Sequence, residues 1–250
     1  KKLLTGLLGL LLAATVAAGI RWNLENYVLV DLHFYPRNEE ILDLRGEKIS
    51  ATRFEKLTKK LPDCEILWDV PLSGGSADCE SKELSLTVLS AEDVALVAYL
   101  EELERVEAEN CCDYVNLLTL EQAYPSLDVR YRVQLGDRAF DHRAEEITVR
   151  GVIGAELSRL DNMRSLKSVI CAGAESSAAT MLREACNQRN ISYSVQIGKE
   201  VLTQEITEVT LENVTEADTY LLPSLPNLET VHLIRPESTA AQLQSLAQNN

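Results

Sequence analysis

Aromatic residues are scarce in this sequence, at 5% of its 250 residues, so aliphatic side chains must fill most of any core. Basic residues are also in the minority: 24 Lys and Arg face 39 Asp and Glu, and the formal net charge is −15. The electrostatic field of such a negatively charged protein repels phosphate backbones and anionic lipid headgroups. The composition therefore argues against nucleic-acid binding. It is compatible with a basic partner, and equally with a charge that only keeps an exported protein soluble.

Metal-binding and redox patterns are missing as well. The three histidines are scattered and the six cysteines include no C-x-x-C pair, so a structural zinc site is not expected. Cys111 and Cys171 fall at strand positions that call for a small buried residue. We therefore expect free, buried thiols rather than a disulfide framework, although export would permit disulfides.

Known catalytic patterns are lacking too. The chain contains no G-x-S-x-G, H-E-x-x-H, Walker A or Rossmann glycine pattern. The stretch Ser73-Gly-Gly-Ser76 is interpreted as a turn, because no helix start or lysine follows it closely enough for a phosphate loop. We expect no catalytic residue, no metal and no cofactor.

A long apolar run opens the chain. Residues 3–20 carry no charge and lie between Lys1-Lys2 and Arg21-Trp22. As a helix rising about 1.5 Å per residue they would span about 27 Å, close to a hydrocarbon core of roughly 30 Å. We interpret residues 1–22 as a transmembrane signal anchor, with a signal peptide cleaved before Gly19 as the alternative. Both place residues 23–250 outside the cytoplasm, the first as a single-pass membrane protein.

A short strand pattern repeats through the rest of the chain. Apolar-x-apolar fragments begin at residues 42, 84, 106, 147, 169, 209 and 231, so steps of 22 residues alternate with steps of 40 to 42. Capping boxes at Ser90/Asp93 and Thr215/Asp218 mark helix starts. Helices are expected at about 50–60, 113–124, 154–163, 176–187 and 238–247. Each long step also contains an alternating strand and a polar turn, which predicts one extra hairpin.

One stretch of these repeats resembles a known family. Leu103-x-x-Val106-x-Ala108-x-x-Cys111 is similar to the leucine-rich-repeat signature L-x-x-L-x-L-x-x-N/C. The likeness covers about residues 40–250 and is to the irregular leucine-rich-repeat (LRR) regions of exported bacterial proteins. It implies an α/β fold, a leucine-rich-repeat-like β/α solenoid with alternating units of about 22 and about 41 residues and one largely parallel sheet. Residues 23–250 form the expected repeat domain, whose last helix stops where earlier repeats continue.

In such a fold, residues between the apolar strand positions face outward on the concave side of the sheet. Both charge signs and apolar residues occur there, which suits recognition of a protein or a cell-surface glycan, although a plain solvated face looks similar. The expected function is a non-catalytic, membrane-anchored extracytoplasmic scaffold; the alternative is an accessory region of a larger cell-wall hydrolase or sensor. The candidate binding face comprises Arg45, Thr87, Glu107, Glu109, Thr148, Arg150, Ile170, Thr210, Glu212 and His232.

An aromatic residue recurs at the same position of each long-step strand, as Trp68, Tyr131 and Tyr193. Exposed rings in a ladder would form a platform for sugars. These rings share their strand face with apolar neighbours, so we expect them to be buried core residues instead.

Overall fold

The computed structural model describes residues 26–234. These residues divide into two compact units. Unit 1 holds residues 26–106 and Tyr124–Asp128, and unit 2 holds Glu107–Ala123 and residues 129–234.

Unit 1 is built from short strands, two α-helices and one 3₁₀ helix. Strands β1 and β2 pair antiparallel, β3 and β4 pair parallel, and β5 and β6 pair antiparallel. The elements are β1 Tyr27–Val30, β2 His33–Pro36, β3 Ile41–Asp43, α1 Ala51–Lys60, β4 Glu65–Leu67, β5 Asp69–Leu72, β6 Gly75–Asp78, β7 Glu83–Ser85, α2 Ala91–Leu96 and a 3₁₀ helix, η1, Val97–Tyr99.

Two strands, β8 (Arg105–Ala108) and β9 (Asp128–Leu135), begin in unit 1 and continue into unit 2. The other elements of unit 2 are α3 Tyr114–Ala123, β10 Arg138–Asp141, β11 Glu146–Val149, the 3₁₀ helix η2 Gly154–Asn162, β12 Ser168–Ala172, α4 Ser176–Gln188, β13 Ser192–Ile197, β14 Glu200–Thr203, β15 Glu208–Glu212, α5 Glu216–Thr219, the 3₁₀ helix η3 Leu222–Ser224 and β16 Thr230–Ile234.

The larger sheets mix parallel and antiparallel pairing. One has the strand order β10-β9-β8-β7, and another has the order β11-β12-β13-β14. In the second, β11, β12 and β13 are parallel, while β14 pairs antiparallel with β13. Strands β15 and β16 form a separate parallel pair.

The expectation of one continuous leucine-rich-repeat-like solenoid sheet is wrong. All seven predicted strand fragments do form strands, but they are distributed over four sheets. The cause is the extra hairpin of each long step, which is present as β5–β6, β9–β10 and β13–β14. The returning strand β10 or β14 occupies the edge of its four-stranded sheet that the next parallel strand would need, and β6 pairs only with β5 in a separate two-stranded sheet. The fold is therefore a mixed α/β arrangement of small sheets with short helices.

The expected anchoring helix at residues 3–20 lies outside the described residues. Among residues 26–234, the structure contains no helix of sufficient length and apolar character to cross a bilayer. The single-pass membrane localisation expected from the sequence is therefore not supported.

Local sequence signals account for where three of the helices begin. The Ser50 hydroxyl accepts a hydrogen bond from the Arg53 amide at the start of α1. Both predicted capping boxes are present, at the starts of α2 and α5. Helices predicted near 50–60, 113–124 and 176–187 are confirmed, and 238–247 lies outside the described residues. The segment predicted at 154–163 is a 3₁₀ helix.

Candidate binding cleft

The ten residues of the predicted concave face lie in, or shortly after, strands of four separate sheets. Seven of them are exposed, while Glu107, Thr148 and Ile170 are half-buried. Thr148 and Ile170 are neighbours across β11 and β12, and Thr210 and His232 are neighbours across β15 and β16. Unit 1 contains Arg45 and Thr87, and unit 2 contains Glu107, Glu109, Thr148, Arg150, Ile170, Thr210, Glu212 and His232.

Arg45, one of these predicted residues, is already held by carboxylates. Its guanidinium nitrogens lie 2.7 Å from Asp43 Oδ2, 3.4 Å from Asp78 Oδ2 and 3.1 Å from Glu80 Oε2. The hydrogen bond from Arg45 lowers the pKa of the Asp43 carboxyl to about 2. Arg45 is therefore held by carboxylates of its own unit.

Glu107 and Glu109, by contrast, lie in a cleft within unit 2. Its volume is about 490 Å³, inside the range of roughly 300–1,000 Å³ that is usual for ligand sites. The cleft lies where β10 ends beside β8 and β9. Its lining residues are Glu107, Glu109, Arg130, Tyr131, Arg132, Asp141, His142 and Arg143.

Strand alternation explains which side chains face the cleft. Along β9, Val129, Tyr131 and Val133 are buried, while Arg130 and Arg132 are exposed. The antiparallel register places Arg132 directly opposite Asp141 of β10. Charged side chains of β9 and β10 therefore lie next to one another in the cleft.

A buried aromatic pair forms the floor of this cleft. The ring of Tyr131 stacks on His142, with centroids 3.9 Å apart and an interplanar angle of 17°. The Tyr131 carbonyl lies 3.0 Å from His142 Nδ1 and also accepts a hydrogen bond from the His142 amide at 3.3 Å. A carbonyl can only accept, so Nδ1 carries the proton in this contact. The floor is fixed by stacking and by two hydrogen bonds to one carbonyl.

Glu121 of α3 faces the other nitrogen of the same imidazole. Its Oε1 atom lies 3.1 Å from His142 Nε2. The contact is close enough for an ion pair, yet Nε2 lacks an aligned hydrogen bond and is fully enclosed. His142 is only 6% exposed, so Nε2 is not available to a ligand in the cleft.

The hydroxyl of Tyr131 makes a further buried hydrogen bond. Its hydroxyl donates to the Asn162 carbonyl at 3.1 Å. Burial raises the pKa of Tyr131, and the negative charge of Glu121 raises it further. The phenol therefore remains neutral and acts as a buried hydrogen-bond donor.

The arginines of the cleft make a different set of contacts. Arg130 Nη1 lies 3.4 Å from Glu107 Oε1. Arg132 donates to the Ala139 carbonyl at 2.8 Å, and Arg143 donates to the Val129 carbonyl at 3.1 Å. Guanidinium groups bind carboxylates and phosphates through paired N–H donors, so the arrangement is suited to holding an oxyanion.

Sequence reasoning identified the two glutamates of the cleft but missed its arginines. A signal was present: residues 129–143 contain four Arg and two Asp, in a chain whose net charge is −15. Alternation along β9 indicates that Arg130 and Arg132 share one face. The register that adds Asp141 and Arg143 could not be read from the pattern alone.

Two other sequence expectations concern the aromatic column and the cysteines. Trp68, Tyr131 and Tyr193 are 1%, 2% and 3% exposed, which confirms that the aromatic column is buried. All six cysteines are free, and Cys111 and Cys171 are buried as expected. Within residues 26–234, no group of three or more His, Cys, Asp or Glu side chains is arranged to hold a metal ion.

Comparison with known proteins adds no relative. No protein-family model, no curated protein and no solved structure matches this chain. The resemblance to leucine-rich repeats therefore stays a prediction, and functional conclusions rest on the cleft itself.

Proposed function

We propose that this chain is a non-catalytic recognition domain that binds a segment of another protein in the cleft of unit 2. The observation that carries the proposal is the cleft's construction: outward-facing charged side chains of both signs surround a buried, hydrogen-bonded floor. Mixed polar side chains with arginine prominent among them are typical of protein-recognition surfaces.

The rigidity of the floor favours binding. Tyr131 is held by the Asn162 carbonyl and by stacking on His142, so the backbone of β9 is fixed before any partner arrives. A preformed site loses less conformational entropy on association than a mobile one. The arginine side chains are then the groups that must become ordered on binding.

A protein partner is favoured over a glycan by the position of the aromatic rings. Sugar platforms present the face of an aromatic ring to solvent. Here all three rings of the column are at most 3% exposed, and the cleft is lined chiefly by charged groups. The feature that made a glycan plausible from the sequence is therefore buried.

A displayed library of random peptides tests the proposal directly. Peptides are selected on the wild-type chain and then compared on two variants. Arg132→Glu reverses a charge inside the cleft. Arg138→Glu reverses a charge on the same hairpin, but Arg138 is exposed and is not part of the cleft lining.

We expect enriched peptides to bind the wild-type chain and Arg138→Glu equally and to lose binding to Arg132→Glu. Circular dichroism should show unchanged folding for both variants, because both side chains are exposed. Failure to enrich any peptide, or equal binding to both variants, would contradict the proposal.

A further inference from the structure

The charges that line the cleft are not equally available to a ligand. On the β8 side, Glu107 and Arg130 form an ion pair with a 3.4 Å separation. This pair largely neutralises that wall, and a ligand would have to break it to use either charge.

Arg132 is in a different position. Its guanidinium has five N–H donors, and a single hydrogen bond runs to the Ala139 carbonyl. Within residues 26–234 it forms no ion pair with a carboxylate. Asp141, which faces it across the hairpin, accepts the Arg143 amide at 2.8 Å. Arg132 therefore presents a charge and several donors that the described part of the chain leaves unused.

The three hairpins show that this arginine is not a general feature of the repeat. The corresponding cross-strand pair is Asp69 with Asp78 in β5–β6 and Ser194 with Thr203 in β13–β14. In β9–β10 it is Arg132 with Asp141. The position tolerates a carboxylate, a cation or a hydroxyl, so arginine there is not needed to build a hairpin.

We propose that the cleft takes an acidic peptide segment, with a side-chain carboxylate of that segment bound by the guanidinium of Arg132. This rests on the proposed function and adds the chemistry of the ligand. A planar carboxylate can accept two parallel N–H bonds from one guanidinium, which gives both strength and orientation. Arg143, in the same lining, adds positive potential beside it.

The size of the site favours a peptide over a free ion. A cleft of about 490 Å³ has room for a short run of residues rather than for one small anion. Glu109, exposed at the rim, would repel a uniformly acidic chain at that end. The occupant is therefore expected to carry spaced rather than consecutive carboxylates.

Fluorescence anisotropy with synthetic peptides tests this assignment. The probe is a labelled octapeptide of alternating glutamate and alanine, and three matched peptides carry glutamine, phosphoserine or lysine in place of glutamate. Each is titrated with the wild-type chain and with Arg132→Gln, Arg132→Lys and Arg138→Gln, at low and at physiological salt.

The glutamate peptide should bind the wild-type chain, and Arg132→Gln should weaken binding by about tenfold or more. Arg132→Lys keeps the charge but loses the fork, so it should recover part of the affinity. Arg138→Gln should leave the affinity within about twofold, because a solvated charge outside the cleft contributes little. Added salt should weaken the glutamate complex.

Four results would overturn the inference: equal binding of the glutamine peptide, preferred binding of the lysine peptide, binding of the phosphoserine peptide alone, or an unchanged affinity in Arg132→Gln. Its failure is distinguishable from failure of the proposed function. Library peptides that lack acidic residues but lose binding to Arg132→Glu would overturn the carboxylate assignment and leave the recognition function standing.

Discussion

The hairpins β5–β6 and β9–β10 occupy the same place in the repeat, yet the aromatic residue of each, Trp68 directly before β5 and Tyr131 within β9, is buried by different chemistry. In unit 1, Trp68 stacks on Phe54 at 4.2 Å and meets the ring edge of Tyr99 at 5.5 Å. In unit 2, Tyr131 stacks on an imidazole and donates a hydrogen bond to a main-chain carbonyl. The first is an apolar aromatic cluster, whereas the second is a buried polar network.

The outward faces of the same two hairpins differ in charge. Beside β5–β6, Arg45 is surrounded by three carboxylates, one of them Asp78 of β6. On β9–β10, Arg132 donates only to a carbonyl among the described residues. The buried aromatic residue is thus kept in both hairpins, whereas the charge of the outward-facing side chains differs between them. This separation of roles allows one repeat to build a closed charge network and another to build a charged cleft.

The largest expected loss of stability comes from disrupting the apolar cluster of Trp68, Phe54 and Tyr99. Trp68→Ala should destabilise the chain by about 3–5 kcal/mol, because it removes a fully buried ring and leaves a cavity between Phe54 and Tyr99. Urea denaturation followed by circular dichroism measures the change in the free energy of unfolding.

Phe34→Ala is the matched control in the same unit, since Phe34 is 59% exposed. It should change the free energy of unfolding by no more than about 0.5 kcal/mol. Equal losses in both variants would mean that the Trp68 cluster does not stabilise unit 1.

Local and periodic features of this fold were predictable from the sequence. The seven strand fragments, the hairpins, the two capping boxes and the buried aromatic column all follow from alternation and short-range spacing. Continuity of the sheet was not predictable in the same way. It depends on whether β6, β10 and β14 leave an edge free, and that is a property of pairing between distant strands.

The segment at 154–163 shows a second limit of the pattern. Leu157, Leu160 and Met163 are buried at a constant spacing of three residues. That spacing matches the three residues per turn of a 3₁₀ helix, which is the form the segment adopts. The apolar residues indicated a helix but not its type, since Ala179, Leu182 and Ala185 are buried at the same spacing in the α-helix α4.

The hairpin turns provide the next largest expected effect. Gly136 and Gly198 occupy equivalent turns and have φ values of +62° and +58°. A Cβ at Gly136 would lie 1.8 Å from the Arg150 carbonyl oxygen, whereas a Cβ at Gly198 would meet nothing within 4 Å. Gly136→Ala should therefore cost about 3 kcal/mol, and Gly198→Ala about 1–2 kcal/mol, which is the cost of the left-handed backbone alone.

Thermal unfolding of the two glycine variants measures this difference. If both alanine variants melt at the same temperature, the close approach of the β9–β10 turn to Arg150 does not constrain the hairpin. If Gly198→Ala has no effect at all, the left-handed backbone is not maintained at that turn.

A smaller effect is expected from removing one hydroxyl of the polar network. Tyr131→Phe keeps the stacked ring but leaves the Asn162 carbonyl without its donor, at a cost of about 1–2 kcal/mol. Tyr99→Phe is the control, because its hydroxyl bonds an exposed glutamate, Glu55, and should matter by less than about 0.5 kcal/mol. If urea denaturation gives similar losses in the free energy of unfolding for both variants, the buried hydroxyl of Tyr131 adds no more stability than an exposed one.

The smallest effect concerns the closed charge network beside β5–β6. Arg45 lowers the folded-state pKa of Asp43 to about 2, below the value of roughly 3.9 for an unfolded aspartate. The ion pair therefore contributes stability above about pH 3.9, and this contribution is lost as the pH falls through the folded value. The contribution is small because Asp43 is exposed and well solvated.

Arg45→Gln should move the titration midpoint of the Asp43 carboxyl, followed by NMR, upward toward 3.9. Asp161, whose pKa is lowered by Arg189 instead, should titrate unchanged in that variant. An Asp43 midpoint that stays near 2 without Arg45 would mean that another group holds the carboxylate, and the contrast between a closed network at the first hairpin and an open arginine at the second would fail.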